Sequence, residues 1–473
     1  MPSQPSFLTV NQDQIQDQAG AVVTLRGVGL GGWMNMENFI TGFPANEEAF
    51  RRVVGRALGP ARASYFFDSY LEHFFTEADA RFISSLGINL VRLPFNYRQF
   101  EDDLDPMVLR ASAFKHLDRA IELCAEQRLY TILDLHAAAG YQNQDWHSDN
   151  PSQLALFWQH KHFQDRTVWL WEQLAERYRG NPWVAGYDVL NEPSDPSGVQ
   201  LDAFYRRVVA AIRAIDPEHI VFLEGNRYSQ DFSVLGAPIP NAVYTLHNYA
   251  PPGFIHGGPY PGATRGECFD KTVVRDRLTE ACQYMLQNRT PIWVGEFGPV
   301  YTGVPQEDAS RYRLLEDQLA LYDELGASWC LWTYKDLGLQ GVVSLSPASK
   351  WTRLIRPILD KKAILGVDSW GGVDKNIRHI LEPIEQAFAE FYPAYDPFPF
   401  GVQWQINRAV RHTLLAEPLV EDFYPLLAGL DFAQIDELMA SFRFENCLPR
   451  QALIDIIKRE RQTAQDAAAV YVP

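Results

Sequence analysis

The feature that most restricts the fold is a repeated alternation. Short apolar, β-branched runs alternate with longer stretches whose apolar residues recur at helical spacing. The runs lie at residues 23–33, 89–95, 130–136, 184–192, 220–225, 243–249, 291–297 and 328–332. Being near-continuously apolar, they read as parallel strands covered on both faces. Helical patterns occupy residues 76–86, 113–127, 165–178, 201–215, 272–288 and 310–325. The first opens on Thr76 and stops before Gly87, and the last stops at Gly326; Thr is a capping residue and Gly a left-handed terminator. This order predicts an α/β fold, a (β/α)8 TIM barrel ringed by helices. A doubly wound open sheet is the competitor.

The 473 residues exceed a minimal barrel. A Pro-rich stretch, AYDPFPFG, occupies residues 394–401. Beyond it, residues 402–416, 419–427, 431–442 and 450–461 read as helices, with no strand pattern. The expected division is a barrel domain at 1–393 and a helical extension at 394–473 packed on it, since a short all-helical unit buries little by itself.

The net charge of −17 disfavours nucleic acid and anionic lipid as partners. No stretch is long and apolar enough to span a membrane. The first residues carry neither a basic nor an apolar leader region, so a cytoplasmic location is expected. Five scattered cysteines form no disulfide framework.

Gly27-Val28-Gly29-Leu30-Gly31-Gly32 fits a dinucleotide-binding spacing after a strand. Its context does not fit: Trp33-Met34-Asn35-Met36 follows where a packed helix should start, and no second strand ends in an acid some twenty residues on. A nicotinamide or flavin oxidoreductase is therefore disfavoured. The glycines read better as a strand end crowded by a ligand or neighbour. No cofactor is expected. No metal is expected either: HExxH is absent, and His160 and His162 sit in a helical, exposed-looking segment.

Polar residues gather at the C-terminal ends of the runs. They are Arg92 in VRLPFNY, His136 in LDLH, Asn191 and Glu192 in YDVLNEP, His247 and Tyr249 in LHNY, Glu296 in WVGEFG, and Trp332 before Lys335 and Asp336 in CLWTYKD. In a closed barrel these ends converge on the face where active sites are built. Glu192 and Glu296, from the fourth and seventh strands, would face each other. Two facing carboxyls are what glycoside hydrolysis requires, one to protonate the leaving oxygen and one to attack or to activate water. A catalytically silent carbohydrate-binding barrel is the alternative, and the presence of both glutamates speaks against it.

Taken together and in order, Arg92, His136, Asn191-Glu192-Pro193, His247-Asn248-Tyr249, Glu296 and Trp332 resemble glycoside hydrolase family 5, the cellulase-like retaining barrel glycosidases. The resemblance covers residues 20–370 and leaves the tail outside it. It implies that Glu192 is the acid/base and Glu296 the nucleophile, with Glu192 expected to be held protonated. It further implies that Arg92 and Tyr249 address Glu296, that Asn191 meets the sugar 2-hydroxyl, that His136 and His247 hold hydroxyls or orient the carboxyls, and that Trp332 floors the sugar site. Rich loops at 33–43, 140–150 and 250–270 add Trp33, Glu37, Trp146, His147 and Asp149 as candidate sugar contacts, with Lys335 and Asp336 beyond the last strand. Long loops on that rim close a cleft into a pocket. The expectation is a retaining, exo-acting hydrolase of β-glycosides with a carbohydrate substrate. A furanosidase acting on α-L-arabinofuranosides or β-D-galactofuranosides is the alternative.

Overall fold

A computed structural model describes residues 5–249, 258–264, 266–367 and 373–470, with 373 and 461–470 as backbone. Eight strands form the centre: β1 (Arg26–Gly29), β2 (Leu90–Asn96), β3 (Tyr130–Ala137), β4 (Val184–Asp188), β5 (Ile220–Glu224), β6 (Ala242–His247), β7 (Ile292–Phe297) and β8 (Ser328–Leu331). All neighbours pair in parallel, and the sheet closes on itself in sequence order, β8 beside β1. The predicted TIM barrel is therefore the fold, and the open sheet is excluded.

Alternation along each strand sorts the side chains. Val91, Leu93, Leu133, Leu135, Tyr187, Val221, Leu223 and Leu246 join the large core under the helices. Leu90, Ile132, Ile220, Phe222, Val243 and Trp293 point the other way, into a small apolar cluster inside the barrel. Leu8 and Ile15, flanking and within the N-terminal hairpin (Thr9–Asn11 with Gln14–Gln16), join that inner cluster and seal the barrel floor. With a period of two, the next inward positions above the floor are Arg92, Asp134, His136, Glu224, Thr245 and His247, all buried. Inside the barrel these charged positions thus stand above the apolar floor.

The helices follow their local signals. Helix Glu77–Ser85 starts from a capping box between Thr76 and Asp79, and Leu201–Ile215 matches its expected bounds. The expected 272–288 helix breaks at Cys282 into Lys271–Ala281 and Gln283–Asn288. Two helices between β1 and β2, Glu47–Leu58 and Pro60–Phe74, were not anticipated. Among the described residues no helix is long and apolar enough to cross a membrane.

After Gly401–Asn407 the chain continues as a π-helical segment, Arg408–Leu414, and then as Ala416–Leu427, Phe432–Met439 and Gln451–Val470. Ala416–Leu427 lies along Glu47–Leu58, and Phe432–Met439 along Pro60–Phe74. Leu419, Val420 and Phe423 share the large core with the barrel's outer residues. The all-helical expectation for the tail needs one correction. Cys447–Pro449 is a strand, antiparallel to Val343–Leu345, which in turn pairs in parallel with Lys335–Asp336. Three residues are too few for an alternating pattern to register.

Candidate active site

Glu296 is aimed into the barrel by an irregularity. The register of β7 shifts between Val294 and Glu296 against β6, so Glu296 faces inward where strict alternation would place Gly295. Bulges re-aim side chains in this way. Gly295 is required beside it, because a Cβ there would lie 2.5 Å from Thr245 Cγ2 and 3.1 Å from His247 Nε2. The Glu296 carboxylate accepts hydrogen bonds from Arg92 Nη1 at 2.6 Å and from Tyr249 Oη at 2.8 Å.

Arg92 is completely buried and fans its guanidinium over four partners. Besides Glu296, Nε donates to Asp188 at 2.9 Å, and Nη2 donates to Asn191 Oδ1 at 2.8 Å and Glu224 at 3.1 Å. Asp134 lies 3.2 Å away. Planar, fork-shaped donors suit this better than an ammonium would. Burial pushes the Asp188 carboxyl well above its ordinary range, against the pull of Arg92.

Glu192 follows β4 in the left-handed region, at φ 46°, a conformation that costs a non-glycine residue on the order of 1–3 kcal/mol. Its peptide is pinned on both sides: its N–H donates to Glu224 at 2.6 Å, and its carbonyl accepts from Asn143 Nδ2 at 3.0 Å. One carboxylate oxygen lies 2.7 Å from His247 Nδ1, the other 3.0 Å from His147 Nε2. Burial alone would raise this carboxyl, but His147 and then His247 outweigh it and hold it well below the usual carboxylate range. The two imidazoles thus favour the ionised form of Glu192, the opposite direction to the protonated form expected from a neighbouring carboxylate alone. His147 is raised to about 9, burial opposing and Glu192 prevailing. Burial likewise opposes the rise of His247, which Glu224 and Glu296 drive.

His247 sits between the two glutamates, 2.7 Å from Glu192 and 3.6 Å from Glu296. Glu192, His247 and Glu296 each bring one ligating atom within 4.8 Å of the others. With the ring protonated, that histidine itself supplies the positive charge the carboxylates share. His136 is fixed by Asp134, 2.8 Å from its Nδ1, which leaves Nε2 turned to Glu37 at 3.8 Å. Its ring lies parallel to Trp332, centroids 5.3 Å apart. The glycine-rich run is the bed of that tryptophan. A Cβ on Gly29 or Gly31 would come within 2.7 or 2.5 Å of the Trp332 ring. Glu37 is buried, its Oε1 without a hydrogen bond among the described residues, and burial pushes it up to about 7 while His136 and His147 pull it down.

Arg92, His136, Asn191, Glu192, His247, Tyr249, Glu296, Trp332, Glu37 and His147 thus form one cluster. Five other candidates do not join it. Trp33 is wholly buried, its indole N–H donating to the Leu71 carbonyl at 2.9 Å, because it turns outward onto helix Pro60–Phe74. Trp146 stacks on His412 at 4.0 Å. Asp149 accepts from Asn46, the Glu48 N–H, Asn96 and Arg98, tying two loops together. Lys335 is a buried cation paired with Asp79 at 2.7 Å and with two backbone carbonyls. Asp336 accepts from the N–H groups of Gly338 and Gln340 and so holds a turn. Residues 250–257 and 265 of the expected 250–270 loop lie outside the described residues. Glu224, Asp134 and Asp188 were missed, although Glu224 also ends an apolar run and obeys the rule that picked out Glu192 and Glu296.

A family model described as cellulase, glycosyl hydrolase family 5, matches residues 59–338. A β-xylosidase of Phanerodontia chrysosporium is 43% identical over 96% of this chain and 98% of its own. A probable glucan 1,3-β-glucosidase A of Aspergillus clavatus is 33% identical over 71% of this chain and 88% of its own. Among solved structures, endoglucanase Cel5A of Thermotoga maritima superposes with a TM-score of 0.50 at 20% identity, covering 67% of this chain and 91% of its own. An endogalactoceramidase superposes with a TM-score of 0.51 at 20% identity over 70% of this chain and 75% of its own. These two likenesses concern the barrel fold.

Proposed function

The chain belongs to glycosyl hydrolase family 5 and is an O-glycosyl hydrolase acting on carbohydrate; from that premise we propose that it is a retaining, exo-acting β-glycosidase, with β-xylosides as its first substrate class. The observation that carries the reading is the closeness of Glu192 and Glu296, whose ligating oxygens lie within 4.8 Å of each other. Retaining enzymes hold their carboxyls about 5–5.5 Å apart, whereas inverting enzymes leave about 6.5–9.5 Å for a water.

In this reading Glu296, oriented by Arg92 and Tyr249, attacks the anomeric carbon. The glycosidic C–O bond breaks as the Glu192 cluster delivers a proton to the leaving oxygen. Water then adds to the glycosyl ester, its proton returning to Glu192, and Glu296 leaves as carboxylate. Charge on Glu296 disappears in the ester, so Glu192, having given up its proton, remains a carboxylate able to take one from water. Exo action is supported by the enclosure of the pair, 8% and 4% exposed, and the xyloside class by the name of the 43% identical relative.

A panel of nitrophenyl glycosides, turned over by the wild type, Glu296→Ala and Glu192→Ala, tests this. Glu296→Ala should lose about 10⁴-fold or more in kcat. Azide should then yield the α-glycosyl azide from Glu296→Ala and the β-azide from Glu192→Ala. The same anomer from both would sink the assigned roles, and random internal cleavage of soluble xylan would sink exo action.

A further inference from the structure

His147 stands where the assumed acid and the C-terminal tail meet. Its Nε2 lies 3.0 Å from Glu192 and 2.9 Å from Asn143 Nδ2. One nitrogen cannot serve both at once. Protonated, it donates to the Glu192 carboxylate; neutral with the proton on Nδ1, it accepts from the Asn143 amide. The two contacts therefore exchange as a proton passes between ring and carboxyl, and Asn143 keeps the neutral ring from losing its place. Asn35 Nδ2 donates to the His147 carbonyl at 3.0 Å and fixes the backbone.

The residues just before His147 are held from the tail. Asp145 lies 2.5 Å from Arg408 Nη2. Trp146 stacks on His412 with the rings 18° from parallel. Gln153, further along the same loop, donates to Thr413 at 2.9 Å. All three tail residues belong to the π-helical segment Arg408–Leu414. On the other side Tyr228 donates to Gln144 at 3.2 Å and packs its ring against Phe400.

We propose that His147 is a positioning residue for the Glu192 carboxyl, sharing its proton, and that the tail holds it there through Arg408 and His412. This rests on Glu192 being the acid/base. The charged groups facing the ring are Glu192, Asp145 and Glu37, with the His136 and Tyr228 rings 5.7 and 5.9 Å away. His147, at about 9, keeps a transferable proton in the pair across neutral pH. Without it the alkaline limit falls to the carboxyl's own ionisation, which His247 alone then attends.

The experiment compares kcat/KM against pH for the wild type, H147Q and R408Q, on two substrates of the same sugar. One carries a dinitrophenyl leaving group that departs unaided; the other carries a methylumbelliferyl or sugar leaving group that needs the acid. H147Q should move the alkaline limb down by about one pH unit or more and slow the poor leaving group about tenfold more than the good one. R408Q, whose contacts among the described residues run to Asp145 and Trp404, should move both in the same direction by less. Equal slowing of both substrates with an unmoved limb overturns the role of His147; a wild-type profile for R408Q overturns that of the tail. Failure of azide to rescue Glu192→Ala on the dinitrophenyl substrate would instead remove the acid/base reading beneath it.

Discussion

Gly31 lies against Trp332 so closely that a Cβ would fall 2.5 Å from Cζ2 of the ring and 2.8 Å from Thr333 Oγ1. The glycine spacing that imitates a nucleotide-binding turn is a seat for an indole. Gly31→Ala must push the ring off His136. Because the ring is the proposed floor of the sugar site, kcat/KM should fall about 10- to 100-fold, with KM rising more than kcat falls. Steady-state kinetics on a nitrophenyl glycoside decides it, and unchanged constants would mean the ring carries no sugar.

Arg92 holds Glu296, Asp188, Asn191 and Glu224 through one planar group. Arg92→Lys keeps the charge but cannot reach all four. Stability should drop by about 3–5 kcal/mol, as when a buried pair is broken, with kcat reduced about 10²-fold or more. Denaturant melts and kinetics measured on the same preparation separate the two effects.

Glu37 is held at about 7 by burial, against an ordinary 4.5. Between these values the folded chain keeps a proton that the unfolded chain gives up, so stability is fully present below 4.5 and declines as pH rises through 7. The decline is on the order of 3 kcal/mol. Glu37→Gln cannot ionise. Its melting temperature should exceed that of the wild type above pH 7, with the gap closing toward pH 4.5. A gap of constant size at all pH values would contradict this.

Lys335 and Asp79 form a dry pair, both side chains fully buried. Lys335→Met should cost about 3–5 kcal/mol by stranding the aspartate, and Asp79→Asn in the same chain should recover part of it. KM should not move, since neither group lies in the carboxyl cluster. A KM change in the folded single variant would return Lys335 to the substrate site.

Legibility followed range. Glu192, Glu296 and Arg92 stood out because charge inside an apolar run needs a local reason. The bulge that turns Glu296 inward left no trace in composition, and neither did the pairing of Lys335 with Asp79, a residue on a helix before β2. Lys335 and Arg92 look alike as cations beside strand ends, and only the fold tells a packing ion from one that holds a carboxylate. Trp33 and Trp332 were alike in the same way. Glu224 was visible by the rule already in use, and Asp134 and Asp188 were readable as inward positions once β3 and β4 were placed. Helices Glu47–Leu58 and Pro60–Phe74 were hidden because no strand separates them from each other or from the helix at Glu77–Ser85, so the strand–helix alternation does not mark them.

The strand Cys447–Pro449 joins a sheet begun by Lys335–Asp336 and Val343–Leu345, and the Lys335 ammonium is held in part by the carbonyl of Phe442. During synthesis from the N-terminus, every barrel strand has been made once Leu331 is added, yet the charge just beyond β8 has one of its ligands more than a hundred residues later. Until then Lys335 has Asp79 but an incomplete shell. The far end of the chain thus completes the shell of a cation that stands just past the last barrel strand, so barrel and tail share one buried charge.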